Sequence, residues 1–310
     1  MTTSEPAETR ESVPRAIRFW RSAPVVVCLG ILCVGLAYGW FPLVAAFIGK
    51  DRSPPVVAFL YFGSTALALA LYAFFTRVVE RRRERDELRW RDAPPMLPLG
   101  VAVGATFMCV VVGSIAALGG YRIDGYHALG TLWFPLALSI WSGIVEELLF
   151  RGVVFRVIER RHGSWIALAF SAALFGAVHL MNPNASLLSA VAIALEAGLM
   201  LGACFMAFRT LWVPMGLHMA WNFVQGGVFG IAVSGQGIEG LLASSSAGPE
   251  WLTGGDFGAE ASVSAVVFGI LLFAFFLARA RRLGRLVSRA EAREQTAREY
   301  RDAVVDRATL

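Results

Sequence analysis

The feature that most limits the fold is a series of apolar stretches, each of roughly 20 residues and so long enough to cross a bilayer as a helix. They fall near residues 24–48, 55–76, 97–119, 131–155, 164–181, 185–208, 211–233 and 261–279. Inside hydrocarbon every backbone N–H and C=O must find a partner within the protein, which for separate stretches of this length means helix. The expected fold class is therefore all-α, a polytopic membrane bundle of about eight transmembrane helices. Composition agrees. Only 16% of the 310 residues are charged and the mean hydropathy is +0.60, whereas a soluble domain carries about 25% charged residues.

In such a chain Lys and Arg report topology before anything else, so the net charge of +5 does not point to nucleic acid as a partner. Assigning loops to alternate sides puts 25 of the 28 basic residues on one side. Only Lys50, Arg52 and Arg122 fall on the other, and loop 234–260 has none. The positive-inside rule then predicts a multi-pass protein of the cell membrane with both termini cytoplasmic. The expected organisation is a polar tail over 1–22, accessory helices over 23–129, a core over 130–232, an outer loop and last helix over 233–280, and a cytoplasmic basic tail over 281–310. In that tail Arg281, Arg285, Arg289 and Arg293 recur every four residues, a basic stripe on a helix. It suits either contact with anionic lipid headgroups or simple solvation. Cys28, Cys33, Cys109 and Cys204 form no C-x-x-C pair, and reduced residues packed between helices are expected.

Few ionisable residues lie within the spans: Glu146, Glu147, Arg151, His179, Glu196 and His218, with Asn222 as a further polar group. A charge near a bilayer centre costs at least about 3 kcal/mol, so such residues face a bundle interior and mark a working site. Their depths can be compared. Spans four and five read as a hairpin with a charged, projecting tip at His162–Gly163; Glu146 precedes His162 by 16 residues and His179 follows Gly163 by 16. At 1.5 Å per residue both lie at one height. His218, nine residues past Arg209, reaches a similar level. Glu147 and Arg151 are i and i+4, the favourable order for an ion pair. His218 and Asn222 also share a face, while Glu146 is rotated by about 100° from Glu147. Glu147 is thus positioned by Arg151, and Glu146 is left freer to act as a general base. A carboxylate with a histidine can deprotonate water, and a His–Asn pair can donate to the oxyanion of an amide under attack. The absence of H-E-x-x-H and the separate helices of the histidines favour a site without a cofactor. A zinc ion on Glu146, His179 and His218 stays as the alternative.

The motifs carry a resemblance. E-E-L-L-F-R at 146–151 resembles the E-E-x-x-x-R motif of the CPBP family, which includes type II CAAX prenyl proteases and bacteriocin-processing proteins. Phe175-Gly-Ala-Val-His179 resembles its F-x-x-x-H motif, and His218-Met-Ala-Trp-Asn222 its H-x-x-x-N motif, with Trp212 and Pro214 just before. The likeness covers about 130–232 and implies an intramembrane endopeptidase acting on a polypeptide at the membrane. It implies that Glu146 and His179 activate water, that His218 and Asn222 form the oxyanion hole, and that Glu147 and Arg151 support the first motif. Phe175 is expected to pack beneath His179, Glu196 to make a structural hydrogen bond, and Gly198 and Gly202 to serve helix packing. A proton-coupled transporter and an inactive, partner-binding relative are the alternative functions.

Overall fold

The computed structural model describes residues 19, 21–48, 53–82 and 84–308. Most of the polar tail, and the basic residues Lys50, Arg52 and Arg83, lie outside the described residues. The first pass is α1 (Ala23–Gly35), a 3₁₀ turn (Leu36–Gly39) and α2 (Trp40–Ile48). Next come α3 (Pro54–Phe74), extended by a π-helical segment (Phe75–Val79), and α4 (Ala93–Ala117). Prolines open α1, α3 and α4 in their first turns, where the missing N–H has no helical partner to lose. The chain continues through β1 (Tyr121–Tyr126), α5 (Trp133–Glu147), a π segment (Leu148–Phe155) and α6 (Arg156–His162). Gly163, at φ 87°, makes the reversal into α7 (Ser164–His179). A capping box at Ser186 and Ser189 starts α8 (Leu187–Ile193), which runs through a π segment (Ala194–Leu199) into α9 (Met200–Phe208). Then follow α10 (Trp212–Asn222) with a π segment (Phe223–Val228), β2 (Leu242–Ser246), the single turn α11 (Glu250–Thr253), α12 (Val263–Arg282) and α13 (Arg289–Ala308).

The protein is a multi-pass membrane bundle, all-α among the described residues apart from one antiparallel ribbon of β1 and β2 that the apolar pattern did not reveal. Among the described residues six helical runs are long and apolar enough to cross a membrane. The helices at 164–179 and 212–228 stand where passes five and seven are expected but are shorter; the 16 residues of α7 rise about 24 Å. In the α8–α9 run 72% of the apolar window is buried, against 28% in the first and last passes, so this run lies at the bundle centre. Gly198 and Gly202 seat it against Ala172 and Leu168 of α7, the expected packing role. Gly100 and Gly104 of α4 meet α10 so closely that a Cβ would lie 2.2 Å from the Val213 carbonyl oxygen and 2.1 Å from that of Leu217. The helix α5 is held between α3 on one flank and α10 on the other.

At the α6 end of the bundle the charges are not solvated as expected. Arg156 is 7% exposed and Glu159 3%. Arg156 binds Glu80 through both terminal nitrogens (2.9 and 2.5 Å), and Arg209 pairs with Glu159. Glu87 accepts from Tyr72 (2.6 Å) and from Arg82 (3.0 and 2.6 Å). Burial alone would raise the Glu87 carboxyl, but its bonds and charge contacts with Arg82 and Arg156 bring it down to about 2. Charges from well-separated segments satisfy one another here, which is why burial is tolerated.

The basic stripe does not survive either. The chain leaves helix between Arg282 and Arg289, with Gly284 at φ 61°, so its four arginines do not share one helix. Arg285 instead donates to the Ala207 carbonyl, and α13 docks on α6 through Glu299, which pairs with Arg160 and Arg161. Among the cysteines only Cys204 is buried; Cys28 and Cys109 are exposed, and all four are free.

Candidate functional site

The cluster begins on α5. Ser139, Ser142 and Glu146 follow at i, i+3 and i+7 and share a face, and all three line a cavity of about 600 Å³. Glu147 is turned away from that cavity toward α10. Gly143, one turn earlier, makes the approach of the two helices possible: a Cβ there would lie 2.4 Å from Met219 Cγ and 2.8 Å from Met219 N.

Glu147 and Arg151 are both fully buried, and Arg151 Nη1 donates to Glu147 Oε1 at 2.8 Å. Arg151 Nη2 donates to the carbonyls of Ala197 and Gly198, each at 3.2 Å, both in the π segment between α8 and α9. Its guanidinium lies 4.7 Å from the Phe175 ring centroid. His218 Nδ1–H donates to the same Glu147 oxygen at 3.0 Å. The second acid therefore orients the α10 histidine as well as the arginine, a link the helical spacing alone did not reveal.

Glu146 is half-buried and faces the cavity with His179, His218 and Asn222. Its Oε2 is buried without a hydrogen-bond partner among the described residues. His179 Nδ1–H donates to the Phe175 carbonyl at 2.7 Å, which fixes the tautomer and leaves Nε2 as an acceptor. The Phe175 ring packs 4.7 Å from His179 and 6.2 Å from His218, a supporting position beneath both. Asn222 Nδ2 donates to Ser142 Oγ at 2.9 Å, and Ser142 Oγ donates to the Ser139 carbonyl. The three spans thus bring Glu146, His179, His218 and Asn222 to one cavity, with Glu147 and Arg151 behind it.

For the alternative zinc set, the described residues hold no group of three or more His, Cys, Asp or Glu side chains arranged for a metal ion. The Nδ1 atoms of both histidines donate to Phe175 and Glu147, which leaves Nε2 of each ring as its available ligand atom. Glu196 behaves differently from expectation. It is fully buried and neither carboxylate oxygen finds a hydrogen-bond partner among the described residues, while α12 presses against it at Gly269.

Several lining residues escaped the sequence reading. Tyr38 from the first pass, Tyr61 from α3 and Trp141 from α5 form an aromatic wall, with Tyr38–Trp141 centroids 5.1 Å apart. Far in sequence, Val233, Ser234, Gln236 and Ile238 form a lip. Glu260 holds that lip by accepting from Ser234 N and Oγ at 2.5 and 2.7 Å. Burial pushes Glu260 up to about 7 despite these donors. The i, i+3, i+7 spacing could have revealed the serines; nothing local marks Tyr38 or the lip.

Fold and site together define a membrane-embedded helical bundle with a half-enclosed cavity that Glu146, His179, His218 and Asn222 line. Residues 128–224 match the family model described as Type II CAAX prenyl endopeptidase Rce1-like, and over this segment the chain is similar to that family. The family is one of peptidases. Comparison with curated proteins and with solved structures returned no match.

Proposed function

We propose that this chain hydrolyses a peptide bond of a membrane-associated or lipid-modified protein or leader peptide, without a metal. Glu146 takes a proton from a water held between its carboxylate and His179 Nε2, and the water oxygen adds to the scissile carbonyl. His218 and Asn222 donate to the oxyanion that forms. Donation through His218 Nε2 needs the doubly protonated ring, whose Nδ1–H is accepted by Glu147 Oε1 at 3.0 Å and whose charge the two glutamates together offset beside Arg151. Arg151 keeps Glu147 in that position. The observation that carries the reading is that Glu146, buried in part and with an unpartnered oxygen, lines one cavity with His179, His218 and Asn222. The basic-residue count supports a cytoplasmic position for both termini, and the C-terminal arginines not committed to protein partners remain candidates for anionic lipid.

The test is Glu146→Gln. The variant is expected to insert into membranes at the wild-type level and to lose at least about 10²-fold in cleavage rate. A substrate should then accumulate uncleaved in membrane or secreted proteomes. Retained cleavage sinks the mechanism. Glu196, buried without a hydrogen-bond partner among the described residues, would also serve a proton-coupled transporter, and uptake into proteoliposomes that depends on Glu146 or Glu196 would favour that alternative.

A further inference from the structure

Hydrolysis of an amide needs a proton delivered to the departing nitrogen, and the residues discussed so far leave that delivery to Glu146 alone. The cavity offers a second donor. The first pass is interrupted by the 3₁₀ turn Leu36–Gly39, and this turn brings Tyr38 to the cavity. A short 3₁₀ stretch inside a helix commonly marks a functional position. Here it is firmly held. Trp141 Nε1 donates to Ser64 Oγ at 3.0 Å, and Ser64 Oγ donates to the carbonyl of Ala37 within the turn at 2.9 Å. The Tyr38 ring stands edge-on to Trp141. Turn and α5 are thereby locked together, with Glu146 the carboxylate that interacts electrostatically with the Tyr38 hydroxyl.

Elimination narrows the choice. Among the proton-bearing groups that line the cavity, Trp141 Nε1 is committed to Ser64, Ser142 Oγ to the Ser139 carbonyl and Ser234 Oγ to Glu260; the aliphatic Ser139 hydroxyl is a far weaker acid than a phenol, and the Tyr61 ring is engaged with Trp141, 5.8 Å between centroids. The Tyr38 hydroxyl makes no hydrogen bond among the described residues. It also comes from the α3 side of α5, whereas His218 and Asn222 come from the α10 side. The oxyanion donors and the phenol thus approach Glu146 from different flanks, as carbonyl oxygen and leaving nitrogen require.

We propose that Tyr38 is a further catalytic residue whose hydroxyl protonates the departing amine. This rests on the endopeptidase reading above. Water gives one proton to Glu146 as its oxygen bonds to the scissile carbon. When the C–N bond breaks, the nitrogen takes the Tyr38 proton, and the carboxyl of Glu146 returns its own to the phenolate. One water is added across one amide bond, and both residues end as they began. Tyr38 lies outside the segment matched to the family, so the accessory passes would contribute to the chemistry as well as to the scaffold.

The experiment compares the full-length protein with Tyr38→Phe, which keeps the ring on Trp141, using a quenched-fluorescent farnesylated CAAX peptide in detergent micelles. A second probe replaces the scissile amide by a thioester, whose thiolate leaves without needing a proton. The expected result is a fall in kcat of about 10²-fold on the amide, with KM within about twofold and the thioester slowed less than about threefold. Equal slowing of amide and thioester assigns Tyr38 a structural role and overturns the proposal, as does an unchanged amide rate. In both of those cases wild-type turnover leaves the endopeptidase reading standing. A wild-type protein that cleaves neither probe, together with membrane and secreted proteomes that Glu146→Gln leaves unchanged, overturns the reading and this proposal together.

Discussion

Removing Arg151 is the sharpest test of how the site is held. The side chain is fully buried, and three acceptors converge on it: Glu147 Oε1 at 2.8 Å and the carbonyls of Ala197 and Gly198 at 3.2 Å. Arg151→Met leaves Glu147 with His218 as its sole hydrogen-bond donor among the described residues and frees two carbonyls in a π segment. Breaking a buried pair by deleting one partner costs about 3–5 kcal/mol, since the remaining charge is uncompensated. The freed carbonyls put the expectation at the upper end of that range. Glu147→Gln should cost a similar amount by stranding the guanidinium. The double variant carries neither charge, so its loss should fall short of the sum of the singles by about 2–3 kcal/mol. Arg151→Lys keeps the charge but lacks the fork that reaches both carbonyls, and should lie between wild type and Arg151→Met. Reversible unfolding in mixed micelles, followed by circular dichroism, measures all four. Strict additivity of the two single losses would refute the argument, because it would mean that the two side chains do not depend on each other.

Two further outcomes are expected. Glu87 titrates near 2 when folded, against an ordinary value of 4.5; its stabilisation is present above pH 4.5 and is lost as the pH falls toward 2, with a ceiling of about 3 kcal/mol. Glu87→Gln should remove that part of the acid sensitivity in pH-dependent melting; an unchanged acid limb would contradict the ion network. Gly143→Ala places a Cβ against Met219 and should cost about 1–3 kcal/mol while separating Glu147 from His218. Met219→Ala should restore only part of the stability and activity, because the Met219 backbone nitrogen at 2.8 Å remains.

Much of this architecture was readable because membrane helices declare themselves locally. Length and apolarity gave the order of the passes, and the 16-residue offsets of Glu146 and His179 from the α6–α7 reversal placed them at one depth. The i, i+4 spacing gave the pair of Glu147 with Arg151. What stayed hidden depends on contacts between distant segments. No local pattern says that Arg156 meets Glu80, that Arg285 reaches back to Ala207, or that the lip at 233–238 closes on the cavity. The basic stripe misled because a four-residue period is meaningful only while the helix continues, and this one stops at Arg282. Tyr38 was missed for the opposite reason: its importance comes from a break in a helix, and its neighbourhood in sequence is uniformly apolar.

Three of the π segments adjoin or contain polar residues of the bundle interior: one directly follows Glu147, one contains Glu196, and one directly follows Asn222. Each can be regarded as a single surplus residue absorbed into a helix. Taking one residue out of 148–155 would let that helix relax to the ordinary pitch and leave everything after it facing nearly as before, because a π turn takes up its extra residue without adding net rotation. Arg156 and Glu159 would keep their partners, whereas the same deletion in regular helix turns everything beyond it by about 100°. The π segments are therefore the places where these helices can lose a residue without turning the polar groups they join. Relatives that preserve the chemistry should tolerate such a loss within these stretches and hardly at all in the regular helix on either side.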